Sequence, residues 1–187
     1  MTTASKITLV RVAFIPVYMV LMYLSGGQPN LWMWLGLAVF VIASLTDYVD
    51  GYIARKYQQV SDFGKFLDPL ADKMLTTAAL LYMMADGVCH PVVLAVILFR
   101  EFAVAGVRCL AAADGTVIAA NVWGKVKTVL QMVTIILYYA AAALAPADAV
   151  GLVQLGTQVL CWLVAAATLL SGVIYLWQNR ACFMQAK

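Results

Sequence analysis

The sequence predicts an all-α integral membrane protein with six transmembrane helices. Of its 187 residues, 65% are hydrophobic and 11% are charged, whereas a soluble domain is about half apolar and a quarter charged. Long apolar runs are separated by short groups of Gly, Pro and Asp, which mark turns. The basic residues cluster on or near alternate connections between these runs. The length fits one domain, residues 1–187.

The first two predicted spans form a helical hairpin. No Lys, Arg, Asp or Glu occurs from Val12 to Thr46, and the run is interrupted at residues 25–30. Each arm approaches the roughly 20 residues that cross a hydrocarbon core of about 30 Å. The stretch from Ile7 to Leu24 has no small-residue cleavage site after it, so we expect a retained first span rather than a signal peptide.

The remaining turn signals lie at residues 86–91, 114–116 and 145–148. The predicted spans are therefore about 7–25, 31–53, 66–85, 91–111, 121–144 and 149–177. This division places all 12 Lys and Arg residues on one half of the membrane, while the three connections on the other side carry none. The positive-inside rule makes the basic side cytoplasmic, with both termini on that side.

The cysteines give little indication of a metal site or a disulfide framework. Cys89, Cys109, Cys161 and Cys182 are scattered, form no Cys-x-x-Cys motif and are accompanied by one histidine, His90. We expect free thiols, mostly buried.

Four aspartates form the main chemical pattern of the sequence. Asp47 and Asp50 are three residues apart near the end of the second span, and Asp68 and Asp72 are four apart near the start of the third. On helices, the two aspartates of each pair share a face. Pro69 suits the first turn of the third span, so Asp68 and Asp72 are expected near a helix N-terminus, which favours negative charge. Carboxylates at a membrane edge are costly unless they are paired. Ion pairs with basic side chains at the surface would explain one pair of aspartates. Four carboxylates instead favour the binding of two divalent cations, Mg²⁺ or Mn²⁺, which suit phosphoryl chemistry.

The stretch from Asp47 to Asp72 reads Asp-x2-Asp-Gly-x2-Ala-Arg-x8-Gly-x3-Asp-x3-Asp. This pattern resembles the signature of the CDP-alcohol phosphotransferase family, and every signature position is present. Residues 100–108 and 124–128 resemble companion motifs of the phosphatidylglycerophosphate synthase branch of that family. Thr8 matches the start of the branch's first span, although the Pro-Asn pair that usually precedes it is replaced here by Ala4-Ser5.

The resemblance implies a CDP-alcohol phosphotransferase-like fold of six transmembrane helices, usually a homodimer, in a bacterial inner membrane with the active site open to the cytoplasm. It implies that two metal ions are held by Asp47, Asp50, Asp68 and Asp72, and that Asp72 also acts as general base. The residues that it places against the CDP moiety of CDP-diacylglycerol are Thr8, Gly51, Ala54, Arg55 and Gly64. The two glycines would let a nucleotide approach the backbone, and arginine offers a planar fork to a phosphate.

A second group of residues, Arg100, Arg108, Lys125 and Lys127, predicts a phosphate-bearing acceptor. Glu101 and Arg108 are seven residues apart and share a helix face, so Arg108 is expected either to pair with Glu101 or to contact the substrate. A pair would leave the other three cations to a ligand. The resemblance implies sn-glycerol 3-phosphate, but inositol phosphate would satisfy the same charges. Membrane-surface anchoring is the alternative role for the two lysines, and serine as acceptor would not need the cluster.

Two other classes of membrane protein use aspartates in a comparable way. Prenyltransferases bind Mg²⁺ through aspartate pairs, but with a different spacing and with release of pyrophosphate. Ion-coupled transporters place carboxylates near the bilayer midplane and show internal repeats, whereas these aspartates lie at one edge and no repeat is visible.

Overall fold

The computed structural model describes residues 3–57, 62–113, 122–146 and 148–180, and the side chains of residues 10–46, 73–112, 122–146 and 148–180. These residues form six α-helices and contain no strand, which confirms the predicted all-α class for the described part of the chain. The helices are α1 (Thr3–Ser25), α2 (Leu31–Tyr57), α3 (Asp62–Ala85), α4 (Pro91–Ala113), α5 (Val122–Leu144) and α6 (Val150–Gln178).

Local hydrogen bonds explain where two of the helices begin. The Asn30 side-chain Oδ1 accepts a hydrogen bond from the backbone N–H of Met33 at 3.1 Å, as an N-cap residue does. At α4, His90 Nδ1 accepts from the backbone N–H of Val92 at 3.2 Å. Pro91 opens that helix, where the missing N–H of proline costs no helical hydrogen bond.

Helices α2 and α3 extend beyond the apolar spans predicted for them. The span expected to end near residue 53 continues as helix to Tyr57, and the span expected from residue 66 is preceded by helix from Asp62. Pro69 is therefore the eighth residue of α3, so its expected place in the first turn is wrong. A polar, charged segment can continue a helix past the hydrocarbon edge because its backbone hydrogen bonds stay internal to the helix.

Within the described residues, two helices, α5 and α6, are long and apolar enough to cross a membrane. Only 33% and 39% of their apolar windows are buried, unlike the core helix of a soluble protein. Shorter apolar helical stretches lie at Val10–Ser25, Leu31–Thr46 and Lys73–Ala85, and the apolar run of α4 is interrupted by Arg100, Glu101 and Arg108. Many large apolar side chains are exposed on α6, as expected of a lipid-facing surface.

The chain divides into two compact units, and the first comprises Met1–Asp86 and Ile135–Val153. Within it, α1, α2 and α3 contact one another. Aromatic side chains fill its core: Tyr18 lies against Phe40, with ring centroids 5.9 Å apart, and edge-on to Tyr82 at 6.3 Å. The Tyr82 hydroxyl donates to the Met19 carbonyl at 2.7 Å and so joins α3 to α1.

Asp86 directly follows α3 and is hydrogen bonded within the first unit. Its Oδ2 accepts a hydrogen bond from the Tyr138 hydroxyl at 2.9 Å, and burial raises the pKa of its carboxyl while that hydrogen bond opposes the shift. A Cβ added at Gly27 would lie 2.7 Å from Asp86 Oδ1, and Gly27 has a φ of +72°. Glycine is favoured at this position because the positive φ strains any other residue, and an added Cβ would also force the Asp86 carboxyl to move.

The second unit comprises Gly87–Thr134 and Gln154–Lys187. Its described core contains Val104, Val107 and Tyr175, with Leu176 packed against them. This core joins the second half of α4 to the last turns of α6. It therefore positions the charged residues of α4, which the sequence assigns to the acceptor.

Candidate active site

The residues predicted to bind the metals and CDP lie on the first three helices, all in the first unit. Thr8 lies on α1, and α2 carries Asp47, Asp50, Gly51, Ala54 and Arg55, while α3 carries Gly64, Asp68 and Asp72. Their backbone is helical throughout, so the helical spacing assumed for both aspartate pairs is confirmed. The side chains of all nine residues lie outside the described part, and their predicted roles stay predictions.

The helix boundaries change the electrostatic setting expected for the aspartates. Asp47 and Asp50 come seven or more residues before α2 ends at Tyr57, and Asp68 and Asp72 come six or more residues after α3 begins at Asp62. The field of a helix terminus falls off within about one turn. Neither the predicted cost to the first pair nor the predicted benefit to the second therefore holds.

The aspartates form a donor set suited to hard divalent cations. Carboxylate oxygen is the ligand that Mg²⁺ and Mn²⁺ prefer, and the four aspartates come from two helices that contact each other. Among the described side chains, no other group of three or more His, Cys, Asp or Glu residues could hold a metal. The four aspartates stay the predicted metal ligands.

Three charged side chains meet in the second unit. Glu101 Oε1 accepts a hydrogen bond from Arg100 Nη1 at 3.0 Å and from Lys127 Nζ at 2.9 Å. The Lys127 side chain is 4% exposed and that of Arg100 is 11% exposed. Both cations lie in a largely desolvated setting, where electrostatic attraction to an anionic ligand is strong.

Two glycines make room for Arg100 between the helices. A Cβ at Gly172 of α6 would lie 3.0 Å from Arg100 Cγ, and a Cβ at Gly124 of α5 would lie 3.1 Å from Arg100 Nη2. The Arg100 Nε is buried and has no hydrogen-bond partner in the described part of the chain. A buried donor without a partner is costly, so this atom is a candidate contact for an anionic ligand.

Arg108 does not pair with Glu101, contrary to the sequence-based expectation. Its Nε donates to the Tyr175 hydroxyl at 3.2 Å, and its guanidinium lies 5.6 Å from the centre of the Tyr175 ring. Glu101 is instead shared by Arg100 and Lys127. Arg108 is about two helical turns away from Glu101, whereas Arg100 and Lys127 lie within 3.0 Å of its carboxylate.

The structure thus brings together two of the four residues predicted for the acceptor, Arg100 and Lys127. Lys125 is exposed on α5, and Arg108 lies on the next turns of α4 beside Tyr175. The sequence reasoning missed the contributions of Gly172 and Tyr175. The sequence did hold one signal for Gly172, since it is a single glycine among large apolar residues near the end of α6. A glycine inside a helix often has a packing reason, such as the close approach of another side chain.

Comparisons with known proteins agree with these features. The family model described as CDP-alcohol phosphatidyltransferase matches residues 1–170. A Bacillus subtilis protein named CDP-diacylglycerol–glycerol-3-phosphate 3-phosphatidyltransferase is 44% identical over 140 residues, which cover 70% of this chain and 72% of the relative. A Rickettsia bellii protein of the same name is 34% identical over 172 residues, 90% of each chain. A Mycobacterium tuberculosis protein named as a probable phosphatidylglycerophosphate synthase is 37% identical over 135 residues, 72% of this chain and 64% of the relative.

Proposed function

Because the chain belongs to the CDP-alcohol phosphatidyltransferase family, we propose that it transfers the phosphatidyl group of CDP-diacylglycerol to sn-glycerol 3-phosphate. The products are phosphatidylglycerol phosphate and CMP. The observation that carries this proposal is the complete aspartate signature from Asp47 to Asp72, joined to relatives named for this reaction that align with up to 90% of the chain.

In this proposal, Asp47, Asp50, Asp68 and Asp72 hold two Mg²⁺ or Mn²⁺ ions at the membrane edge. When bound, such ions stabilise the negative charge that develops on phosphate oxygens and on the departing CMP. Arg55 adds a fixed cation for a phosphate of the CDP moiety. The small residues of the signature leave the backbone accessible to the nucleotide, and Thr8 completes the proposed CDP contacts.

Asp72 is the proposed general base. It accepts the proton of the 1-hydroxyl of glycerol 3-phosphate as the hydroxyl oxygen attacks the lipid-side phosphorus. The bond to the CMP oxygen breaks, and the lipid remains joined to glycerol through a phosphodiester. We expect Asp72→Asn to lose most turnover, because the amide cannot accept this proton, and full turnover in that variant would refute the assignment.

Arg100 and Lys127 are the proposed binding groups for the acceptor phosphate. Their shared carboxylate, Glu101, holds both side chains in place within 3.0 Å. Charge-assisted hydrogen bonds from such groups to phosphate are about twice as strong as neutral ones. Lys125 and Arg108 would add attraction from outside the cluster.

The alternative acceptor, inositol phosphate, would meet the same cations, but the relatives' names favour glycerol 3-phosphate. Family membership also argues against the prenyltransferase and transporter hypotheses. The choice of acceptor is therefore the part of the proposal that most needs an experiment.

We place the protein in a bacterial inner membrane as one domain of six spans, with both termini and the active site on the cytoplasmic side. The distribution of the 12 basic residues supports this orientation. A homodimer is part of the proposal through the family resemblance alone.

The deciding experiment measures CMP release by the purified protein in detergent with CDP-diacylglycerol and Mg²⁺ or Mn²⁺. Glycerol 3-phosphate, inositol phosphate and serine are offered separately, with a chelator and Asp68→Ala as controls. We expect metal-dependent release with glycerol 3-phosphate alone. Release with a different acceptor alone would refute the proposed substrate, and no release from folded protein with any acceptor would refute the proposed reaction.

A further inference from the structure

Gln131 lies one helical turn beyond Lys127 on the same face of α5. This face points towards the charged residues of α4. Lys127 Nζ donates to Glu101 Oε1 at 2.9 Å, and a Cβ added at Gly124, two turns before Gln131, would lie 3.1 Å from Arg100 Nη2. The Gln131 amide is therefore on the side of α5 proposed to bind the acceptor phosphate, about 6 Å along the helix axis from Lys127.

The Gln131 side chain is buried, and the residue is only 4% exposed. Other polar side chains on this part of α5 have partners: Thr128 Oγ1 donates to the Gly124 carbonyl at 3.0 Å, and Thr134 Oγ1 donates to the Leu130 carbonyl at 2.8 Å. In the described part of the chain, no group hydrogen bonds to the Gln131 amide. An amide offers two donors and an acceptor oxygen, and leaving them unsatisfied in a buried position is costly.

The described residues of α4 and α6 do not satisfy this amide either. The part of α4 before its charged residues, Pro91 to Phe99, has only apolar side chains. On α6, the buried hydroxyls of Thr168 and Ser171 donate to carbonyls of their own helix at 2.6 and 2.9 Å. The amide is therefore suited to a ligand hydroxyl, which can both donate and accept a hydrogen bond.

We propose that Gln131 hydrogen bonds the 2-hydroxyl of glycerol 3-phosphate and thereby selects this acceptor. The inference rests on the proposed function, which already assigns the other polar groups of the acceptor. Arg100 and Lys127 bind the phosphate, and the 1-hydroxyl attacks the lipid-side phosphorus, so the 2-hydroxyl is the group that remains. It lies between the other two on a three-carbon chain, within reach of a side chain one turn from Lys127.

This role makes Gln131 a specificity residue that takes no part in proton transfer. A site that hydrogen bonds a substrate hydroxyl rejects an analogue without that hydroxyl, because the buried polar group of the site is then left unpaired. The analogue that isolates this contact is 3-hydroxypropyl phosphate. It keeps the phosphate and the attacking hydroxyl of glycerol 3-phosphate and lacks only the 2-hydroxyl.

The test measures kcat/KM for the two acceptors by CMP release from CDP-diacylglycerol. It compares the unaltered chain, Gln131→Met and a matched control, Gln154→Met, which makes the same change at an exposed position of α6. We expect the unaltered chain and the control to prefer glycerol 3-phosphate by at least about 10-fold, and Gln131→Met to use both acceptors within about twofold of each other. The KM for CDP-diacylglycerol should be the same in all three proteins.

Thermal unfolding without acceptor separates this role from a structural one. Because Gln131→Met removes a buried amide that the described residues leave unsatisfied, its midpoint should not fall below that of the unaltered chain. A lower midpoint, or failure of the variant to fold, would show that the amide supports the fold and would overturn the proposal.

The comparison of the two acceptors in the unaltered chain needs no variant. Equal use of both acceptors there, or a preference for glycerol 3-phosphate that survives in Gln131→Met, would overturn the role of Gln131 and leave the proposed reaction standing. No CMP release from the folded, unaltered chain with either acceptor would refute the proposed reaction, and this inference with it.

Discussion

Adding one methyl group at Gly172 should displace Arg100 and thereby weaken acceptor binding. A Cβ at this position would lie 3.0 Å from Arg100 Cγ, whereas ordinary van der Waals contact begins at 3.4 Å. The arginine stem must therefore retreat by about 0.4 Å, in a buried setting where its Nη1 already bonds Glu101 at 3.0 Å. Overpacking of this kind costs about 1–3 kcal/mol, and the gain in helix propensity from Gly to Ala returns at most about 1 kcal/mol.

The matched control is Gly156→Ala on the same helix, because nothing lies within 4 Å of a Cβ built there. We expect the thermal midpoint of Gly172→Ala to fall below that of Gly156→Ala by about 2–12 °C, since 1 kcal/mol corresponds to roughly 2–4 °C in a chain of this size. Thermal unfolding in detergent, followed by tryptophan fluorescence, measures this difference.

The effect on catalysis follows from the same displacement. A misplacement of about 1 Å can cost roughly 100-fold, so a shift of a few tenths of an ångström predicts about a 3- to 10-fold higher KM for glycerol 3-phosphate. The KM for CDP-diacylglycerol should not change, because Arg100 is not among the proposed CDP contacts. If Gly172→Ala matched Gly156→Ala in both midpoint and KM, Arg100 would not be confined as described, and its proposed contact with the acceptor would be refuted.

Three further substitutions, the first with a matched control, test other contacts. Lys127→Ala should raise the KM for glycerol 3-phosphate at least 10-fold, because it removes a cation whose side chain is only 4% exposed. Its control, Lys125→Ala, lies at an exposed position and should change this KM less than threefold. Equal effects of the two substitutions would contradict the assignment. Tyr175→Phe removes the acceptor of the 3.2 Å hydrogen bond from Arg108 and should lower the thermal midpoint through the loss of about 1 kcal/mol, with the KM for CDP-diacylglycerol unchanged. Asp86→Asn should raise the thermal midpoint at neutral pH. Burial raises the pKa of the Asp86 carboxyl above its ordinary 3.8, so the ionised carboxylate destabilises the fold at pH values above that raised pKa. The midpoint difference between the variant and the unaltered chain should therefore shrink as the pH falls towards 3.8. A midpoint difference for Asp86→Asn that grows in acid would contradict this sign.

The sequence predicted the helices well because apolar runs and turn residues are local signals. The described helices α4, α5 and α6 begin within one residue of the predicted spans. Helices α2 and α3 extend past the predicted apolar spans, because hydropathy marks the hydrocarbon edge and does not mark the end of a helix. Pro69 was misplaced for the same reason, since its position relative to the helix start depends on where the polar part begins.

The basic cluster was predicted by residue type but not by partner. Sequence spacing placed Glu101 and Arg108 on one face of α4, yet Lys127 from α5 and the neighbouring Arg100 hold that carboxylate. Contacts between helices depend on how the helices pack, and spacing along one helix carries no information on packing. The role of Gly172 was hidden for the same reason, because it depends on a side chain 72 positions earlier in the chain.

The end of α2 and the start of α3 impose a limit on movement between the helices that carry the aspartates. Helix α2 ends at Tyr57 and α3 begins at Asp62, so the linkage between them has four residues. Five consecutive Cα–Cα steps extend to at most about 18 Å, and this tether holds the two helix ends within that distance throughout any opening of the site. A diacylated substrate that enters sideways from the bilayer therefore cannot depend on a wide separation of these two helix ends. Lengthening the linkage with glycine and serine would relax the tether without altering a single proposed ligand.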